Sequence, residues 1–100
     1  MTSVNCFDFE ELCQRLAVSG NTLVTVVEHG IIEPIGQDPA HWQFDVSALL
    51  VVRRILGLKQ QFDLDWQGAA LAAELIEQNR QLREQNRILE RRLLRFVDSI

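Results

Sequence analysis

Val18-Ser-Gly-Asn-Thr-Leu-Val-Thr-Val-Val-Glu-His-Gly-Ile-Ile-Glu-Pro34 is the stretch that decides how this chain folds. Ser19 or Asn21 can cap a helix at its start. Leu23, Val26 and Val27 then recur at helical spacing and give that helix one apolar stripe. His29-Gly30 ends it, with Gly30 suited to the left-handed position just past a helix. Upstream, Asp8-Phe-Glu-Glu11 fits a capping box, with Asp8 as N-cap and Glu11 reaching back. Phe9, Leu12, Cys13 and Leu16 follow on one face, so a first helix should span about Phe9 to Leu16. Two short helices joined by the tight turn Val18-Ser19-Gly20 make a helix-turn-helix.

Downstream, Ile32 to Ile35 and His41 to Phe44 flank a polar turn, Gly36-Gln-Asp-Pro39. These segments are long enough for a two-stranded wing. Trp42 and Phe44, two apart, face one side of their strand and cover the core. Pro34 confines its own strand to an edge. Asp45 is a good N-cap for a third helix from about Val46 to Gln61, with Leu49, Leu50, Val52, Ile55 and Leu56 as core positions. Gly57 weakens that helix and would mark a close packing contact. Phe62-Asp-Leu-Asp-Trp66 breaks the pattern, and Asp63 or Asp65 can cap a fourth helix. That helix runs to about Val97 without Pro or Gly after Gly68. The expected division is a winged helix-turn-helix module over 1–65 and a long helix over 66–100.

From Leu75 the apolar spacing is strict. Leu75, Leu82, Leu89 and Phe96 fall at heptad position d, and Asn79, Asn86, Leu93 and Ile100 at a. Glu77-Gln-Asn-Arg80 recurs as Glu84-Gln-Asn-Arg87, and Arg80 and Glu84 are spaced for an i,i+4 pair. Asn at a lowers stability but fixes register and partner number. Two such Asn favour a parallel two-stranded coil in which each meets its mate. The expected state is therefore a homodimer.

The chain has 100 residues, 47% of them hydrophobic, with a formal net charge of −4. One domain with an appended helix fits that length, and two domains do not. A core this small leaves a thin stability margin, which self-association would widen. The start of the chain lacks the basic and apolar regions of a secretory signal, and no apolar run is long enough to span a membrane, so the cytoplasm is the expected compartment. Cys6 and Cys13 read as small semi-buried hydrophobes; with His29 and His41 they match no structural-zinc spacing. Gly-rich phosphate loops, nucleophile elbows and metal motifs are missing, so neither enzyme activity nor a cofactor is expected. The charges are unevenly spread. Residues 1–50 hold Arg15 against seven acids, a balance of −6, while residues 51–100 hold nine basic residues against seven acids, a balance of +2.

The order helix-turn-helix, wing, helix, long dimerising helix resembles MerR-type regulators. Gly30-Ile-Ile-Glu-Pro34 resembles the Gly-Leu-Ile-x-Pro segment that opens the wing in that family. The chain is closer still to the CbpM family of chaperone modulators. Glu28-His-Gly-Ile-Ile-Glu-Pro34, Trp42-Gln-Phe-Asp45, Leu64-Asp-Trp66 and the tail from Glu84 to Val97 carry that resemblance, which covers nearly the whole chain. It implies a mainly α fold: a MerR-like winged helix-turn-helix with a small two-stranded wing and a long C-terminal coiled-coil helix. It also implies an adaptor that binds the J-domain of the DnaJ-like co-chaperone CbpA. Such an adaptor inhibits the co-chaperone's stimulation of its DnaK partner and its DNA binding.

The alternative is a MerR-like DNA-binding transcriptional regulator, which would need basic side chains on the second helix and the wing. Here Ser19 to Gly30 holds no Lys or Arg, and Glu28, Glu33 and Asp38 are acidic. Such a module repels phosphates and releases no counterions. The same charge suits a basic protein surface, and the resemblance supplies one in the positively charged second helix of a J-domain. Candidate contacts are Phe62, Asp63, Asp65 and Trp66 at the start of the fourth helix, with Glu74 and Glu77 along it. The competing reading of these residues is structural: the aromatics plug the core where two helices meet, and the acids cap.

Overall fold

The computed structural model describes residues 6–99. The seam position Ile100 and the leader reading at residues 1–5 lie outside that range.

Strand β1 (Cys6–Asp8) runs directly into helix α1 (Phe9–Leu16). The junction is the expected capping box: Asp8 Oδ1 accepts from Glu11 N–H at 2.8 Å, and Glu11 Oε1 accepts from Asp8 N–H at 3.2 Å. Helix α1 ends on Ala17, whose φ of 56° is left-handed. Ala17 N–H donates to Gln14 O and Val18 N–H to Cys13 O, so carbonyls of the last turn are satisfied. Helix α2 (Gly20–Glu28) starts with Ser19 Oγ accepting from Thr22 N–H at 3.2 Å. It ends the same way as α1, with Gly30 at φ 72° and Ile31 N–H donating to Val26 O. Gly20 is not the turn's left-handed residue. A Cβ there would press on the Phe9 ring at 3.3 Å, so its smallness serves helix packing.

The wing is smaller than expected. Between its two segments only Ile35 and Gln43 pair, through bonds of 2.8 and 3.0 Å. Pro34 has no N–H with which to extend the ladder. Asp38 caps a 3-10 turn over Pro39–His41, which consumes the start of the second expected strand. Strand β2 (Gln43–Asp45) pairs chiefly with β1, antiparallel, with Phe7 opposite Phe44.

Asp45 Oδ1 accepts from Ala48 N–H at 2.8 Å and starts helix α3 (Val46–Gln61). Ala48, Leu49, Val52 and Ile55 are buried, and Leu56 is half-buried against them. Leu50, expected in the core, is 57% exposed. Two residues beyond Ala48 it has turned about 200° from that face. Gly57 marks no close contact, since a Cβ there would meet nothing within 4 Å. Asp63, at φ 52°, gives α3 a third left-handed end, with Leu64 N–H donating to Lys59 O at 2.9 Å. Asp65 Oδ1 then accepts from Gly68 N–H at 2.7 Å and opens helix α4 (Trp66–Asp98).

Phe44, Leu12, Leu23, Ile55, Val26 and Val52 form the centre of the core. Fully buried Ala69 lets α4 approach α3 closely, and Ile76 is the last apolar side chain of α4 packed on the core. Beyond it the helix projects free. The radius of gyration is 17.5 Å, against about 13 Å for a compact chain of this length.

Candidate partner-binding surfaces

The six residues expected to contact a partner divide between two places. Phe62, Asp63 and Asp65 sit at the α3–α4 turn. Phe62 is 62% exposed, while Asp63 and Asp65 are occupied as helix-end residues. Trp66 is half-buried and packs on the core. Lys59 Nζ lies 4.8 Å from its ring centroid and the His29 ring 6.2 Å away. Lys59 therefore covers one face of the half-buried Trp66 ring, with the His29 imidazole tilted beside it.

Glu74 and Glu77 lie further along α4. They line an open cleft of about 730 Å³ against the end of α2 and the face of α3 that carries Arg54. Glu77 is not a free acid there. Arg80 donates to it from Nε at 3.1 Å and Nη2 at 2.9 Å, and those bonds hold its carboxyl below the usual carboxylate range. Arg80 therefore pairs with Glu77 and not, as its spacing suggested, with Glu84. Glu84 pairs with Arg87 at 2.8 Å, with Arg91 at 3.9 Å. The repeated Glu-Gln-Asn-Arg encodes the same i,i+3 pair twice.

The heptad positions form an uncovered apolar stripe. Leu75, Leu82, Leu89, Leu93 and Phe96 are between 55% and 63% exposed, and Asn79 and Asn86 are exposed between them.

A third surface was not visible in the sequence. Phe9 from α1, Val24 and Glu28 from α2, and Pro39, Ala40 and Trp42 from the 3-10 turn line a groove of about 500 Å³. Its one sequence signal is Val24, an apolar residue lying off the buried Leu23–Val26 stripe. The Trp42 ring meets Phe44 edge-on at 6.3 Å, which ties the groove wall to the core.

Comparison with known proteins agrees with this architecture. The sequence profile of MerR HTH family regulatory proteins matches residues 7–91. Similar proteins include the "Chaperone modulatory protein CbpM" of Pseudomonas putida, 44% identical over 90 residues, which are 90% of this chain and 89% of that one. The protein of the same name from Pseudomonas entomophila is 45% identical with the same coverage. That from Salmonella newport is 45% identical over 91 residues, 91% of this chain and 90% of its own. The chain thus belongs to the CbpM family of MerR-type helix-turn-helix proteins.

Proposed function

We propose that this chain is a cytoplasmic, non-enzymatic chaperone modulator. It binds the J-domain of a CbpA-type co-chaperone, masks the basic helix that domain offers its DnaK-type partner, and opposes the co-chaperone's DNA binding. The observation that carries the reading is a charge pattern on a DNA-reading fold. No Lys or Arg occurs between Arg15 and Arg53, the span holding α2, the wing remnant and β2, while Glu28, Glu33 and Asp38 are all exposed. Complementary charge speeds encounter and selects the partner, while an apolar anchor supplies much of the affinity. Phe62 is the exposed anchor at the α3–α4 turn, flanked by Asp63 and Asp65, with Glu74 and Glu77 further along α4. Trp66 supports that turn from inside. Residues 1–65 supply most of the recognition surface, with Glu74 and Glu77 adding to it from the long helix over 66–100, which pairs two copies through Leu75, Asn79, Leu82, Asn86, Leu89, Leu93 and Phe96. The names carried by the relatives support the chaperone role.

Calorimetric titration with the J-domain of the cognate CbpA tests this. Saturable binding that DnaK competes away is the expected result. No detectable heat at tens of micromolar overturns it. In gel-shift assays at physiological salt, a tight sequence-selective shift would favour the transcriptional regulator instead.

A further inference from the structure

We propose that the groove formed by Phe9, Val24, Glu28, Pro39, Ala40 and Trp42 is a docking site for one face of a basic amphipathic helix on the protein partner. The proposal rests on the chaperone-modulator reading and adds a second contact for it, on the side of the module that a DNA reader would turn to the major groove.

The chemistry of the groove selects the occupant. Five of its six lining residues are apolar, and Glu28 is the single ionisable one. Val24 is 36% exposed, so the floor is open to solvent. Asp38, next in the chain to Pro39, is already engaged: Oδ1 accepts from Ala40 N–H at 3.2 Å and Oδ2 lies 3.0 Å from His41 Nδ1, which leaves Glu28 as the free acid of the groove. The α3–α4 cleft lacks this one-signed character, because Arg54 lines it and Arg80 already bonds Glu77. Nucleic acid is disfavoured twice, by the acid and by a lining with no Lys or Arg to neutralise phosphate. An extended peptide would also fare badly. The walls are side chains and not an open strand edge, so its N–H and C=O groups would lie unpaired on apolar surface. A helix arrives with its backbone satisfied. It can set apolar side chains at i, i+3 or i+4 and i+7 on Phe9, Val24 and Trp42 while a Lys or Arg on its flank meets Glu28.

The experiment uses the full chain with two surface variants, Val24→Arg and Glu28→Lys, and with Gln14→Lys, at an exposed position of α1 outside the groove, as the control. Circular dichroism melts identify variants that keep the wild-type fold. In calorimetry against the J-domain, each groove variant should weaken binding roughly tenfold or more, whereas the control changes it by less than about threefold. In parallel, a synthetic helical peptide with leucines on one face and lysines flanking them is titrated into labelled protein. Amide shifts should centre on Val24, Glu28, Ala40 and Trp42 and vanish in Glu28→Lys. If the wild type binds the J-domain and the folded groove variants bind it equally well, the groove proposal is wrong and the modulator reading stands. If the wild type gives no J-domain binding, the modulator reading falls, and the groove with it unless the peptide shifts map as stated. Peptide shifts centred on residues 62–77, or equal binding of an uncharged peptide, also overturn the groove.

Discussion

Three residues, Ala17, Gly30 and Asp63, do the same work in different chemical dress. Each takes a left-handed φ just past a helix, so that the next N–H can reach back into the last turn. Only Gly does this without a steric penalty from Cβ. Gly30 was therefore legible in the sequence, and Ala17 and Asp63 were not, because the demand is conformational and their side chains do not announce it. Ala17→Gly and Asp63→Gly should each raise unfolding stability, by about 0.5–1 kcal/mol in urea melts, since the strain is relieved without loss of a cap. If Asp63→Gly also weakens J-domain binding, its carboxylate is a contact as well as a helix end. Glu77 gives a pH prediction. Arg80 depresses its carboxyl in the folded chain, so the pair's contribution is present above the unfolded carboxylate value and fades as pH falls through the folded one. The pair is exposed, so the effect on stability is small. The direct measurement is a carbon-detected titration of Glu77, which Arg80→Ala should return towards the ordinary carboxylate range.

Helices and strands differ in how far they can be read from local sequence. Helices α1 and α3 begin just after their single cap candidates, Asp8 and Asp45, and α2 and α4 after one of two candidates each, Ser19 and Asp65, because a cap and its helix are neighbours in the chain. The sheet is the part that local sequence shows least. Cys6–Asp8 is too short to show alternation, and its partner β2 lies 37 residues on in the register Phe7 to Phe44. Pairing at that separation depends on the packed core, which brings the two phenylalanines together. The wing is smaller than its sequence suggests for the complementary reason: the local preference of its turn residues for a capped 3-10 turn at Asp38 outweighs the ladder. Gly57 is the element-scale test. It sits inside α3 with open space at its Cβ position. Gly57→Ala should stabilise the protein by up to about 1 kcal/mol, the helix-propensity difference alone. A destabilised Gly57→Ala would mean that a partner or second copy packs on that face of α3.

At the scale of the molecule, a small core carries a 33-residue helix whose outer half packs on no other element among the described residues. Leucines over half exposed along that projection cost solubility unless they are buried elsewhere, and the heptad register lets a second copy bury them. A parallel pair sets Asn79 and Asn86 against their mates. It also places two modules of net charge −5 (residues 1–65) at the same end, a repulsion that salt screens over about 8–10 Å. Two consequences separate this arrangement from a lone helix. The melting temperature should rise with protein concentration, because association stabilises only the folded chain. Leu82→Asp, which puts a charge in the middle of the seam, should abolish that dependence and give a monomer by sedimentation while α1 to α3 keep their fold. A single Cys near residue 98, at the seam position of Phe96 (Phe96→Cys) in a Cys-free background, should close a disulfide rapidly if the strands run parallel, and more rapidly as salt is added. Slow closure alongside an intact dimer would reverse the orientation. The two acidic modules would then lie at opposite ends, each beside the arginine-rich tail of the other copy.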